Sequence, residues 1–126
     1  MEADLKLAIV DYHYLLKEFE HCKNYKLVVP HPHIKTLQKL LTTGKKNISL
    51  SKIAEILEYI QNNAIIIAEV SLPTIPVSTK GLKPKTCRFA RYILAAQKKY
   101  PNIRVISDSR ETKFLLKQLG ISVFTK

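Results

Sequence analysis

The chain has 126 residues, 46% of them hydrophobic, so it can bury a core of its own and is too apolar for intrinsic disorder. It carries 21 Lys and Arg against 10 Asp and Glu, a formal net charge of +11, which indicates a polyanionic partner such as nucleic acid. Two cysteines, Cys22 and Cys87, are too few for a disulfide framework and lack the spacing of a zinc finger.

Neither a membrane span nor a targeting segment is evident in the sequence. The longest apolar run, Ala64–Val70, has the length of a strand. The first residues, Met1 to Asp4, include two acids and lack the basic start of a signal peptide. We therefore expect one domain over residues 1–126, located in the cytoplasm and without membrane contact.

The first half of the chain alternates short apolar runs with segments of helical periodicity. Continuous apolar runs are typical of buried parallel strands, and apolar residues three or four positions apart are typical of helices. In chain order, the predicted elements are a strand at Leu7–Val10, a helix carrying Leu15, Leu16, Phe19 and Cys22, a strand at Lys26–Val29, a helix over Pro32–Leu41 ended by Gly44, and a helix capped by Ser51 that ends at Asn62.

The second half continues the alternation after one long irregular stretch. In chain order, its elements are Ala64–Val70, as a strand or the tail of the preceding helix, the irregular segment Leu72–Lys85, a helix over Thr86–Tyr100, a strand at Ile103–Ile106, a helix over Arg110–Leu119 closed by Gly120, and a strand at Ile121–Phe124. Strands separated by helices predict an α/β fold with three α/β/α layers and a mainly parallel central sheet of four to five strands.

Two aspartates follow predicted strands. Asp11 comes directly after the first strand, and Asp108 follows the strand that begins at Ile103. Ligands of parallel sheets bind at the carboxyl ends of the strands, and two carboxylates are the minimum for holding Mg²⁺ or Mn²⁺ against a phosphate. Both aspartates are therefore candidate catalytic and metal-binding residues. The alternatives are structural: Asp11 caps the following helix, and Asp108 forms a capping box with Glu111.

His31 and His33 follow the second strand at a helix start. They are expected to be ordinary polar residues of that helix start, with a phosphate contact as the alternative.

The better-supported candidates are basic. Between Val70 and Lys126 the only acids are Asp108 and Glu111, so this half of the chain is heavily positive. A charged helix face is often only solvated surface, but such a scarcity of acids favours contacts with phosphate. The predicted nucleic-acid contacts are Lys80, Lys83 and Lys85 in the irregular segment, Arg88 and Arg91 on the next helix, and Arg110 and Lys113 on the last helix. Tyr12, Tyr14, Tyr92 and Tyr100 are candidates for stacking on bases, although core packing is the stronger expectation for Tyr92 and Tyr100.

The order and spacing of three short motifs resemble the PIN domain, an α/β nuclease family, over nearly the whole chain. These motifs are Ala8-Ile9-Val10-Asp11; Leu27-Val28-Val29-Pro30 leading into Ile34-Lys35-Thr36-Leu37; and Val105-Ile106-Ser107-Asp108-Ser109-Arg110 followed by Leu116–Gly120 and Ile121-Ser122-Val123. The resemblance implies a metal-dependent ribonuclease whose acidic side chains surround Mg²⁺ or Mn²⁺.

The family's acidic positions are poorly matched in this chain. Asp11 matches the first, Thr36 stands at the second, Arg91 at the third (or Thr86 or Arg88 in a shifted register) and Ser109 at the fourth, one residue after Asp108. Three hypotheses follow: a PIN-like protein that has lost most or all of its metal site and binds RNA or a ribonucleoprotein partner; an active ribonuclease that uses Asp11, Asp108 and either Glu111 or Glu69; and a protein-interaction module, such as a toxin-like component held by a partner chain. The expected protein partners include a second copy of the chain, as a homodimer.

Overall fold

The computed structural model describes residues 6–44, 49–68 and 72–124. Strands and helices alternate through these ranges. In chain order they are β1 (Leu7–Val10), α1 (Tyr12–Lys17), α2 (Phe19–Cys22), β2 (Lys26–Pro30), α3 (His31–Thr43), α4 (Leu50–Asn63), β3 (Ile65–Ile67), α5 (Pro84–Lys99), β4 (Arg104–Ile106) and α6 (Arg110–Gln118). None of the described helices has the length and apolarity that crossing a bilayer requires.

The four strands form one parallel sheet in the order β3-β2-β1-β4. The register pairs Val10 of β1 with Ile106 of β4, so these two strands end side by side. The predicted α/β fold with a parallel sheet is therefore confirmed, at four strands. All carboxyl ends lie at one edge of the sheet, which we call the carboxyl edge.

Helices cover both faces of the sheet and create two hydrophobic clusters. Alternation along the strands explains the division: Ala8 and Val10 face one cluster, whereas Ile9 faces the other. Helices α1 to α4 pack on the first face, and α5 and α6 pack on the second. The three-layer α/β/α arrangement follows directly from these two clusters.

The predicted last strand, Ile121–Phe124, is wrong in extent. Within the described residues only Phe124 pairs with the sheet, through a single parallel bridge to Ile106. The backbone of Ile121 instead donates to Leu116 O at 2.9 Å and so helps to close α6, with Gly120 at a positive φ of 74°. Because the backbone of Ile121 is used to close α6, it does not pair with the sheet as a longer strand would require.

Other boundaries also differ from the prediction. The helix expected from Leu15 to Cys22 is divided at Glu18, whose backbone is not helical (φ −123°, ψ 42°). Helix α4 begins two residues earlier than predicted, with Ser49 and not Ser51 at the N-cap position. Gly44 ends α3 in the left-handed conformation, as predicted. The predicted Ala64–Val70 strand is confirmed for β3, but residues 69 and 70 lie outside the described residues.

Candidate nucleic-acid interface

A cavity of about 500 Å³ opens at the carboxyl edge of the sheet. The ends of β1 and β2, the start of α3 and the first turns of α5 and α6 contribute its walls, so residues distant in sequence meet here. Its lining includes two carboxylates (Asp11 and Glu111), three cations (Lys83, Lys85 and Arg88), four hydroxyls (Thr36, Thr86, Ser109 and Thr112) and an aromatic wall of Tyr12, His33, Phe89 and Tyr92.

Asp11 is held by the neighbouring strand. The backbone N–H of Asp11 donates to Ile106 O at 2.9 Å, and the buried hydroxyl of Ser107 donates to Asp11 Oδ2 at 2.7 Å. Asp11 occupies the N-cap position of α1, but its side chain makes no capping hydrogen bond. The capping role is therefore wrong: the carboxylate is oriented by Ser107 and lines the cavity.

His33 belongs to the wall of the cavity and carries no charge at neutral pH. It is only 8% exposed, and this burial lowers its pKa to about 4. Because a carbonyl only accepts, Nε2 carries the proton and donates to Val10 O at 3.0 Å. The ring packs against Tyr12 and Phe89, with centroids 5.7 Å away in both cases. Its neighbour His31 is exposed and does not line the cavity.

Glu111 ties the start of α5 to α6. Its Oε1 accepts from the backbone N–H of Lys83 at 2.9 Å and from Thr86 Oγ1 at 2.6 Å. These hydrogen bonds, that from Thr86 foremost, lower the pKa of the carboxyl below its ordinary value. The predicted capping box with Asp108 is wrong, because Ser109 is the N-cap of α6 and its side chain accepts from Thr112 N.

The structure brings together three of the seven predicted basic contacts. Lys83, Lys85 and Arg88 line the cavity and are exposed at its rim. Arg91 has a different environment. Its Nε donates to Pro73 O at 3.0 Å and its Nη2 donates to Leu72 O at 3.1 Å, so this side chain holds the start of the irregular segment against α5. The remaining three lie outside the cavity: Lys80 and Arg110 are exposed, and Lys113 lines a separate depression with Lys117.

Asp108 lies at the same edge of the sheet as Asp11 but does not line the cavity. The strand register places Ser107 beside Asp11, and successive residues of an extended chain point to opposite sides. The exposed carboxylate of Asp108 lies 3.7 Å from Lys17 Nζ. The predicted pair of strand-end acids is therefore not brought together in one groove.

The positions that the PIN resemblance assigns to acids do converge on this cavity. Asp11, Thr36, Thr86 and Ser109 all line it, as does Arg88, whereas Arg91 does not. The shifted register that places Thr86 or Arg88 at the third position is therefore the one that agrees with the geometry. At the positions where the resemblance expects carboxylates, the cavity therefore carries Asp11 together with hydroxyls and a guanidinium.

This donor set does not fit a metal centre built from several carboxylates. Among the described residues, no three Asp, Glu, His or Cys side chains are grouped so as to hold a metal ion. Glu111 already accepts two hydrogen bonds, and Arg88 would repel a cation. Glu69, named as a possible acid of a rearranged site, lies outside the described residues.

Two contacts of this site were missed by sequence reasoning. Ser107 stands out in the sequence only as part of a motif, and the strand register that places it beside Asp11 is a property of the fold with no local sequence signal. The contact between Thr86 and Glu111 joins residues 25 apart in sequence and has no local signal.

Comparison with known proteins yields similarity to solved structures, without a match to a family model or a curated protein. Among solved structures, the chain is similar to a PilT N-terminus (PIN) domain protein from the hyperthermophilic archaeon Sulfolobus solfataricus P2, at 19% sequence identity and a TM-score of 0.55, covering 94% of this chain and 86% of that one. At this identity the likeness is one of fold. The chain has a PIN-like α/β fold.

Proposed function

We propose that this protein binds nucleic acid, RNA in the first place, at the carboxyl-edge cavity, and that it cleaves its ligand weakly or not at all. The observation that carries the proposal is the composition of the cavity. Three cations, Lys83, Lys85 and Arg88, line the cavity. The carboxylates among the described lining residues are Asp11 and Glu111, and Glu111 already accepts hydrogen bonds from Lys83 and Thr86. Such a cavity attracts phosphate more strongly than it attracts a metal ion.

The cavity walls strengthen this attraction. Phosphate bound there would exchange water for Lys and Arg donors next to a wall of Tyr12, His33 and Phe89, where charged hydrogen bonds are stronger than on an open surface. Asp11 only accepts hydrogen bonds, so within a phosphate site it pairs best with a donor of the ligand. The ribose 2′-hydroxyl is the donor that RNA has and DNA lacks, which favours RNA.

The competing function is a metal-dependent ribonuclease with a rearranged acidic site. In its favour, Asp11 and Glu111 line the same cavity. Against it, Glu111 would have to give up the hydrogen bonds from Lys83 and Thr86 before it could bind a cation. The two functions separate cleanly by experiment.

The binding test is fluorescence anisotropy with a labelled single-stranded RNA at about 50 and about 200 mM salt, where phosphate-driven complexes weaken steeply. We expect the double variant Lys83→Gln/Arg88→Gln to lower affinity about tenfold at the lower salt. The matched control is Lys39→Gln/Lys52→Gln, which removes the same charge from exposed positions outside the cavity. Equal losses in both double variants, or affinity that is insensitive to salt, would contradict the proposal.

The cleavage test uses the same RNA with Mn²⁺. The proposal expects the RNA to stay intact, or to be cut at a rate that Asp11→Asn does not change. Efficient cleavage that disappears in Asp11→Asn would establish the ribonuclease instead.

A further inference from the structure

We propose that the outer face of α6 is a second contact surface for the same ligand, on which an unpaired base stacks against Phe114. This inference rests on the proposed function and specifies it, because it requires the ligand to be single-stranded. We call the surface the α6 outer face and define it by Arg110, Lys113, Phe114 and Lys117.

The α6 outer face combines an aromatic ring with flanking cations. Its four residues stand at spacings i, i+3, i+4 and i+7, which places them on one side of a helix. Phe114 is 59% exposed, while the opposite side of α6 buries Thr112, Leu115 and Leu116. The core therefore holds α6 without Phe114, and the ring lies in solvent between positive side chains.

The charge on this face is uncompensated within the described part of α6. The one acid of the helix, Glu111, accepts hydrogen bonds from Lys83 and Thr86 on the cavity side. Lys113 and Lys117 also line a depression of about 480 Å³ together with residues 120–123. Cations at a depression next to an exposed ring provide both parts of a single-strand site, a phosphate contact and a stacking platform.

The α6 outer face continues from the cavity. Ser109, Glu111 and Thr112 in the first turn line the cavity, and Arg110 lies in that same turn on the other side. At 1.5 Å of rise per residue, Arg110 and Lys117 are about 10 Å apart along the axis, a length that a few nucleotides cover. A strand whose phosphate occupies the cavity can therefore reach the cations of the α6 outer face within a few nucleotides.

The chemistry of the surface favours nucleic acid over a second copy of the chain. A symmetric contact would place Arg110, Lys113 and Lys117 against the same three cations, and like charges in a contact are repulsive. An unpaired nucleotide offers the flat face of its base to Phe114 and its phosphate to the lysines, and bases within a duplex do not expose that face.

The test compares Phe114→Leu with Phe114→Tyr, which keeps a ring, on a single-stranded RNA and on a duplex of the same sequence. We expect Phe114→Leu to weaken single-strand binding about tenfold while Phe114→Tyr retains it, because stacking on an aromatic residue supplies that difference. Duplex affinity is expected to stay unchanged in both variants, as is the salt dependence, because no charge is altered.

Failure of this inference is distinguishable from failure of the proposed function. If Phe114→Leu binds the single strand normally while Lys83→Gln/Arg88→Gln does not, the α6 outer face is not a contact and the cavity proposal stands. If the unaltered protein binds no RNA, the proposed function itself is overturned. If Phe114→Leu weakens binding of labelled poly-glutamate but not of RNA, the surface takes acidic protein and the inference is wrong.

Discussion

The two sides of the cavity are held in different ways. On the strand side, Asp11 and His33 are fixed by buried or half-buried hydrogen bonds with Ser107 and the Val10 carbonyl, next to the sheet. On the α5 side, Lys83 and the residues after it are positioned from α6 by Glu111, through hydrogen bonds at exposed or half-buried positions.

Because of this difference, we expect the strand side to affect mainly the stability of the fold and the α5 side to affect mainly ligand binding. A buried polar group that loses its partner costs its full desolvation energy, so changes on the strand side should lower the stability of the whole fold. Hydrogen bonds near solvent are replaced by water, so changes on the α5 side should act mainly on local order and on ligand affinity. Each of the following predictions would fail if this division were wrong.

The largest expected effect is a loss of stability in acid that depends on His33. Its folded pKa of about 4 lies below the ordinary 6.5, so the unfolded chain binds the proton more readily. Stability is complete above pH 6.5, falls as the pH drops towards 4 and is lower by about 3 kcal/mol below both values. Urea unfolding across this range measures it.

The control for that prediction is His33→Gln, whose amide can still donate to the Val10 carbonyl but does not titrate. We expect its stability to change less between pH 6.5 and pH 4 than that of the unaltered protein. If the free energy of unfolding depends on pH in the same way in the two proteins, burial on the strand side does not lower the pKa of His33.

The next effect is smaller and concerns Asp11. Asp11→Ala leaves the buried Ser107 hydroxyl without its acceptor, which we expect to lower the free energy of unfolding by about 1–2 kcal/mol. Asp11→Asn keeps an acceptor oxygen and should lose less. The double variant Asp11→Ala/Ser107→Ala removes the unpaired hydroxyl but also the acceptor of the Ser109 N–H, so its loss should be smaller than the sum of the two single losses. Additive losses in denaturation experiments would contradict this hydrogen-bond account.

The sequence was enough to predict Asp11 and the three cavity cations as site residues, but not the contacts that hold the two sides in place. Apolar runs alternating with helices were enough to place Asp11 at the carboxyl edge. They could not decide between Ser107 and Asp108, because one position of register decides which side chain lies beside Asp11.

Arg91 and Glu111 show why the contacts on the α5 side could not be predicted from the sequence. Arg88 and Arg91 share a helix face by spacing, and only the tertiary fold brings the Leu72 and Pro73 carbonyls to Arg91. Glu111 matched a local capping pattern, whereas its partner Lys83 is 28 residues away. Local patterns carry no information about contacts at such separations.

Arg91 and Arg88 provide the third prediction. Arg91→Ala removes the donors for two backbone carbonyls, and we expect a loss of about 1 kcal/mol and several-fold faster trypsin cleavage after the exposed Lys80. Arg88→Ala should leave both quantities unchanged and lower RNA affinity instead, because Arg88 lines the cavity. If both variants behave alike, the helix face works as a single charged stripe and the division between the two residues is wrong.

The smallest effect is expected for Glu111→Gln. The glutamine keeps an acceptor for Lys83 and Thr86 but loses the charge that strengthens both hydrogen bonds. Because those bonds lower the pKa of the carboxyl in the folded protein, its stabilisation is present above the ordinary value of 4.5 and is lost as the pH falls through the lowered value. The variant should therefore be slightly less stable than the unaltered protein at neutral pH and equal to it in strong acid. This window begins at 4.5, near the lower end of the His33 window, so most of the His33 effect has been measured before that of Glu111 begins. A difference of the same size at neutral pH and in strong acid would mean that the amide disturbs α5 by its shape and that the charge of Glu111 contributes nothing.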